Sequence, residues 1–293
     1  MSISRAAALI RSGKLVAFPT ETVYGLGANA LDAAAVERIF IAKGRPRTSP
    51  LIVHVDSIEM ARTFAARWPD AAEILARRYW PGPLTLVVPK RAAIPDIVTA
   101  GLPTVALRVP AHPLALELIR AAGVPIAAPS ANRFTELSPT AAGHVPESLA
   151  DFILDGGPAR VGIESTVLSL VDAPVLLRPG VIPLTEIEAL IGPVQISATG
   201  GLVAHPSPGM RARHYRPATP LLLLNPGDPL PPGRGVHLRI GHEMPGSPLA
   251  YASTLYETLH RLDAQGLDWI AVERPAETPE WAGVLDRLRR AAG

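Results

Sequence analysis

Apolar and polar positions alternate along this chain with two periods that exchange every ten to twenty residues. Helical spacing predicts helices over 3–12, 33–42, 58–67, 70–79 and 113–122, with Val36, Ile39 and Phe40 on the inward side of the second. Short apolar runs predict buried strands at 15–18, 51–55, 84–88, 104–109, 125–128, 152–154, 166–170 and 175–177. The interleaving argues an α/β fold, a mixed twisted β-sheet with flanking helices, because some strands follow one another too closely for a crossover helix. From 192 to 217 the pattern breaks into Gly200-Gly201, Pro206, Pro208-Gly209 and then Arg211, Arg213, His214, Tyr215 and Arg216. Strands at 221–224, 236–240 and 269–272 with helices at 254–263 and 281–291 then predict a small α/β, Rossmann-like module. The expected division is a catalytic domain over 1–195, a linker or lid over 196–217 and a C-terminal domain over 218–293.

Composition narrows the class. A chain of 293 residues with 48% hydrophobic and 18% charged positions can bury a sizeable core, and its length argues two domains. No apolar run approaches the roughly 20 residues of a membrane span, and the N-terminus lacks the order of a signal peptide, so a cytoplasmic protein without membrane contact is expected. The absence of cysteine excludes disulfides, thiolate chemistry and zinc-finger modules. A net charge of +2 is too small for a clamp on nucleic acid, although a local basic cleft and a weak RNA contact stay open.

Positive charge is concentrated where chemistry would need it. Of 28 basic residues only Lys14, Lys43 and Lys90 are lysines, and Lys43-Gly44-Arg45-Pro46-Arg47 joins a predicted helix to a predicted strand. The next carboxylate along the chain is Asp56, so this triplet is expected to await an external anion, a polyphosphate. The plainer alternative is a solvated helix end facing its own dipole. Polar groups also mark strand ends: Thr20 and Thr22 after the first, Arg108, Ser130 with Asn132, Glu164-Ser165-Thr166, and Arg178. If these converge outside the strand ends they line one anion-friendly crevice, the two threonines otherwise serving as caps.

Several long motifs occur in order. The run 18–30, Lys43-x-Arg45 with 50–54, 80–85, Ser130-x-Asn132 with 138–140, and 177–180 resemble the YrdC-type threonylcarbamoyl-adenylate synthases over essentially 1–195. Ser207-Pro208-Gly209-Met210, His214-Tyr215-x-Pro217, Leu255-Tyr256 and Leu285-Asp286-Arg287-Leu288 resemble the two-domain form of that family. The resemblance implies an enzyme that joins L-threonine, bicarbonate and ATP into threonylcarbamoyl-AMP, releasing pyrophosphate, for N6-threonylcarbamoyladenosine in tRNA. It implies catalytic roles for Lys43, Arg45, Ser130 and Asn132. ATP would meet Arg45, Ser49, Thr104, Ser130, Ser138, Arg178 and Tyr215, and L-threonine would meet Thr22, His54, Arg108, Ala128 and Ser165, with Arg108 forking the carboxylate. Mg2+ is expected with the triphosphate, held by phosphate oxygens and water, since no carboxylate cluster suggests a protein metal site. Proteins that transfer threonylcarbamoyl to tRNA would be downstream partners, and 207–217 would order over the nucleotide as a lid. Thr135 stands where members of that family often carry Gly after Ser-x-Asn. Two rivals are a carbamoyltransferase of hydrogenase-maturation type, disfavoured by the missing cysteines, and an RNA-binding module, disfavoured by 5% aromatic residues.

Overall fold

The computed structural model describes residues 2–197 and 214–292, so the 207–213 part of the expected lid lies outside the described residues. Its elements are α1 (Ile3–Arg11), β1 (Val16–Phe18), β2 (Gly25–Asn29), α2 (Ala33–Lys43), β3 (Ile52–His54), α3 (Ile58–Phe64), α4 (Asp70–Tyr79), β4 (Leu84–Pro89), α5 (Asp96–Thr99) and β5 (Thr104–Arg108). There follow α6 (Pro113–Ala122), β6 (Ile126–Ala128), β7 (Phe152–Ile153), β8 (Thr166–Ser169), β9 (Val175–Arg178), α7 (Leu184–Ile191) and β10 (Gln195–Ile196). The last five are β11 (Leu221–Leu224), β12 (Gly235–Leu238), α8 (Pro248–Asp263), β13 (Trp269–Glu273) and α9 (Ala282–Ala292).

The first ten strands form one sheet in the order β10-β9-β8-β4-β5-β3-β6-β2-β1-β7. It is mixed, as the short connections require: β3 runs parallel to β5 and antiparallel to β6, and β4 antiparallel to β5 and parallel to β8. Strand alternation sends Val53, Leu107 and Ala127 into a large core with Ile39 and Phe40 of α2 and Leu75 and Ala76 of α4. Their neighbours face the other way. On that second face α1 and α6 cover only the β1/β6 side, where Ala6, Ile10, Leu118 and Ile119 pack on Phe18, Ile126 and Ala128. The rest is a small apolar floor of Ile52, Val87, Ala106, Val167 and Leu177 that no helix residue joins. A sheet face left uncovered by helices is where a ligand fits.

Strand β2 was not expected from its sequence, Gly-Leu-Gly-Ala-Asn, which is poor in strand formers. Its glycines answer to packing instead: a Cβ at Gly27 would stand 2.8 Å from the Phe18 ring and 2.7 Å from Ile126. Phe18 thus lies directly on the strand that pairs with it.

The second sheet, β11-β13-β12, is parallel throughout. One helix crossover, β12-α8-β13, links neighbours, but β11 reaches β12 through 225–234 without a helix. Among the described residues this is a small α/β layer without the strand-helix alternation of the Rossmann-like arrangement expected. Its core of Tyr251, Leu255, Tyr256, Ile270 and Leu288 takes in Val23, Leu137, Ile163 and Tyr215 from outside the layer. The C-terminal layer therefore packs, through one apolar cluster, on loops of the first sheet and not on its strands.

Thr135 holds φ 75°, the left-handed region that a β-branched residue enters only under constraint, and its carbonyl accepts from the Arg216 N–H at 2.9 Å. Thr135→Gly is expected to raise unfolding free energy by about 1 kcal/mol, because glycine relieves that strain. Equal or lower denaturation midpoints in the variant would contradict it.

Candidate functional site

The uncovered part of the second sheet face is a pocket with about 510 Å³ of open space. It gathers Thr20, Thr22, Arg45, His54, Arg108, Ala128, Ser130, Glu164, Ser165, Arg178, His214 and Tyr215, with Ile52 in its floor. Ile52 and Ala128 are register partners at opposite strand ends, as are His54 and Ile126. The pocket therefore lies across a sheet face and not outside a row of strand ends, the position anticipated from the crevice rule.

Each polar wall has a local cause. Helix α2 starts on Asp32, whose carboxylate accepts from Ala34 and Ala35 N–H at 2.9 and 3.2 Å, and stops at Gly44 with φ 64°. That stop turns Arg45 into the pocket, where its Nη2 donates to Ser49 Oγ at 2.6 Å and to the Pro50 carbonyl at 3.0 Å. Lys43, in the last helical turn, is 4% exposed and is not among the pocket-lining residues. Its Nζ donates to the carbonyls of Ser130, at 2.5 Å, and of Asn132, tying down the loop that brings Ser130 to the pocket. Burial, then repulsion from Arg45, pushes the Lys43 ammonium well below the usual lysine range. The third cation of the triplet behaves differently. Arg47 is exposed and paired with Glu37, a carboxylate on α2, so it does not await an external anion as the sequence suggested.

At the other wall Thr20 Oγ1 meets Thr22 Oγ1 at 2.8 Å and donates to the Val23 carbonyl at 2.6 Å, so these hydroxyls shape a turn and do not cap a helix. Arg108, at the end of β5, donates from Nε to the Gly82 carbonyl at 3.2 Å. Its Nη2 lies 2.8 Å from Glu21 Oε1, a buried ion pair not aligned as a hydrogen bond. Glu21 is held in turn by the Ala111 N–H at 3.0 Å. The fork of Arg108 is thus partly engaged, contrary to the free fork expected. Beside it His54 is buried edge-on to Phe18, with Nδ1 lacking any partner. Desolvation first and the Arg108 charge second lower its pKa to about 3, so it stands in the pocket as a neutral imidazole.

The third wall joins β8 and β9. Arg178 donates from Nε and Nη2 to the Ser165 carbonyl at 3.1 and 3.0 Å, and Ser165 Oγ lies 2.7 Å from Thr85 Oγ1. Glu164 accepts from Ser138 Oγ, from the Tyr256 hydroxyl at 3.3 Å and from Arg287 Nε at 2.6 Å. Arg287 and the nearby Arg178 hold the Glu164 carboxyl below the usual range against desolvation, which alone would raise it.

Of the residues expected at the site, the pocket brings together Arg45, Ser130, Arg178 and Tyr215 with Thr22, His54, Arg108, Ala128 and Ser165. Lys43, Ser49, Asn132 and Ser138 stand one layer behind, bonded to lining residues or their loops. Asn132 donates to the Arg133 and Glu136 carbonyls while its Oδ1 is buried without a partner. Thr104 opens β5 at the end opposite Arg108, paired with Pro89, and is not brought to the pocket. Glu21 was missed; Glu164 was read only as a polar strand end, and His214 and Arg287 only within motifs, without the contacts that bring them to this wall. A carboxylate between two hydroxyl residues, Thr20-Glu21-Thr22, was the one signal for Glu21; nothing local shows that Glu164 and Arg287 pair.

Comparison with known proteins gives the family and the fold. The family model Sua5_yciO_yrdC, described as "Telomere recombination", matches residues 8–180, and Sua5_C, described as "Threonylcarbamoyl-AMP synthase, C-terminal domain", matches 182–293. The chain is 45% identical to the threonylcarbamoyl-AMP synthase of Pyrococcus abyssi, over 98% of its own length and 93% of that protein. It is 44% identical to the Bacillus subtilis enzyme of the same name, over 99% and 93%. The crystal structure of P. abyssi Sua5 complexed with L-threonine superposes with a TM-score of 0.92 at 42% identity, covering 99% of this chain and 94% of that one. With both family models laid end to end along it, the chain belongs to the Sua5/YciO/YrdC family in the form that carries the Sua5 C-terminal domain.

Proposed function

We propose that this chain is a threonylcarbamoyl-AMP synthase and that its pocket joins L-threonine, bicarbonate and ATP. The observation that carries the reading is a single cavity lined by three arginines, Arg45, Arg108 and Arg178, with neutral hydroxyl and imidazole groups between them. The threonine nitrogen, as the free amine, attacks the carbon of CO2, forming a carbamate with loss of one proton, or the carbon of bicarbonate, forming the same carbamate with loss of one water and no net proton. A carbamate oxygen then attacks the α-phosphorus of ATP, and the bond to the bridging oxygen breaks to release pyrophosphate. No side chain need bond to an intermediate, so rate comes from holding three reactants together and offsetting the negative charge of the phosphates and of the carbamate.

Arg108 and Glu21 define the threonine end. The carboxylate meets the guanidinium through the amino group that neither Gly82 nor Glu21 engages, and the threonine hydroxyl and amine find Thr22, His54 and Ser165. Arg45, Ser130, Arg178 and Tyr215 line the nucleotide end, backed by Lys43, Ser49, Asn132 and Ser138. Thr104, at the far end of its strand, is left out of that set. Mg2+ has no protein cage to enter: among the described residues no three His, Asp or Glu side chains are grouped to share an ion, and the pocket carboxylates Glu21 and Glu164 face Arg108 and Arg287. It would travel with the phosphates. The product is a mixed anhydride open to water, which argues a prompt transfer to proteins that act on tRNA.

Pyrophosphate release that requires L-threonine, with label from bicarbonate entering the adenylate, is the expected result for the pure protein. Release without threonine, or dependence on carbamoyl phosphate, would remove this reading. In the same assay Arg108→Lys keeps a charge but loses the planar donors, and is expected to raise KM for threonine about tenfold while moving KM for ATP much less. Equal changes would place Arg108 elsewhere.

A further inference from the structure

Arg287 lies on α9, in the C-terminal layer, yet it is 1% exposed and its guanidinium reaches the pocket wall built by the first sheet. Nε donates to Glu164 Oε2 at 2.6 Å and Nη2 to the Glu164 carbonyl at 3.3 Å. Nη1 donates to the Pro179 carbonyl at 3.0 Å and to Asp286 at 2.7 Å. Arg287 Cζ lies over the Tyr215 ring, 5.2 Å from the ring centre. Tyr215 itself holds φ 64°, a left-handed conformation that persists only where surroundings fix it. Glu164 and Tyr215 both line the pocket.

The backbone is arranged to permit this reach. A Cβ on Gly283, one turn before Arg287, would stand 2.3 Å from the Gly180 carbonyl, so α9 sits directly against the chain leaving β9. A Cβ on Gly162 would stand 2.2 Å from the Ala252 carbonyl, seating α8 in the same way on the approach to Glu164. Two backbone contacts therefore fix where the guanidinium arrives.

We propose that Arg287 is a positioning residue through which the C-terminal layer shapes the nucleotide end of the pocket, holding Glu164, and beyond it Ser138, while fixing the Tyr215 ring. A guanidinium suits the task because one planar group satisfies two carboxylates, two carbonyls and a ring face together, which an ammonium cannot do. The inference rests on reading the pocket as the site of threonylcarbamoyl-AMP synthesis. Its consequence is that ATP affinity, and not threonine affinity, depends on a residue supplied by the second layer.

Removing Arg287 alone leaves Glu164 as a buried charge without its partner and threatens the fold. The informative variants are Arg287→Lys, which keeps the charge, and the pair Arg287→Met with Glu164→Gln, which removes both charges. With each variant checked for a cooperative thermal transition, threonine-dependent pyrophosphate release is followed against both substrates. Arg287→Lys is expected to raise KM for ATP at least fivefold with KM for threonine within twofold of the parent. The paired variant is expected to regain the thermal midpoint and not the ATP affinity. Wild-type KM for ATP in both folded variants, or equal rises for ATP and threonine, would overturn the proposal and leave Arg287 as a pin of the fold. A parent protein with no threonine-dependent release would instead remove the synthase reading, which separates the two failures.

Discussion

Lys43→Met is expected to lower kcat/KM for ATP by at least about 100-fold and to cost about 1–3 kcal/mol of stability at the same time. The double effect follows from where the ammonium sits. Its Nζ satisfies the carbonyls of Ser130 and Asn132, and methionine, with similar length and no donor, leaves both acceptors buried without a partner. The loop they belong to carries Ser130 into the pocket, so losing the tie loosens a wall as well as removing a charge. Burial and Arg45 already disfavour the charged form of Lys43, and a triphosphate entering beside Arg45 would supply the missing negative charge. Added ATP is therefore expected to raise the melting temperature of the parent far more than that of the variant. Arg45→Met provides the contrast, since Arg45 lines the pocket and its loss should weaken ATP use with a smaller thermal change. A Lys43→Met protein with parental activity, or with parental stability, would show that the two carbonyl contacts do not carry this role.

The sequence reached the fold where local rules act alone. Helix α4 and helix α6 begin and end as their periodicity predicts, the second because His112 caps it, accepting from Leu114 N–H at 3.2 Å, and Pro113 starts it. It failed where packing decides. Strand β2 is hidden because Phe18 and Ile126 demand glycines that argue against a strand, and α8 begins at Pro248, six residues before its expected start. The site divides in the same way. Lys43, Arg45, Arg108 and Arg178 are visible as cations at element ends, but the carboxylates that close the buried pairs come from distant chain. Glu21 faces Arg108 across 87 residues and Glu164 faces Arg287 across 123, separations that no spacing rule can read. Arg47 shows the opposite error: a carboxylate ten residues back, Glu37, is on the helix behind it and closes a pair that a forward search for acids overlooks.

Acid is expected to destabilise the protein well before its carboxylates titrate. His54 has an ordinary unfolded value near 6.5 and a folded value of about 3, because a charged ring there would be stripped of water beside Arg108. Above pH 6.5 both states are neutral at this position and stability is fully present. Between 6.5 and 3 the unfolded chain binds a proton that the folded chain refuses, so stability falls by about 1.4 kcal/mol per pH unit for this one group. His214, His144 and His260 are shifted down for the same first cause, loss of solvent, and add to the slope in the same direction. Replacing His54 with phenylalanine keeps an aromatic ring against Phe18 and removes the titration. Urea unfolding at pH 6.5 and pH 5 is then expected to show the parent losing about 2 kcal/mol more than His54→Phe over that interval. Activity is the wrong readout here, since acid also converts bicarbonate to CO2 and changes the substrate. Parallel losses in parent and variant would mean that His54 takes up its proton in the folded state as easily as in the unfolded one, and that the pocket around Arg108 is open to water.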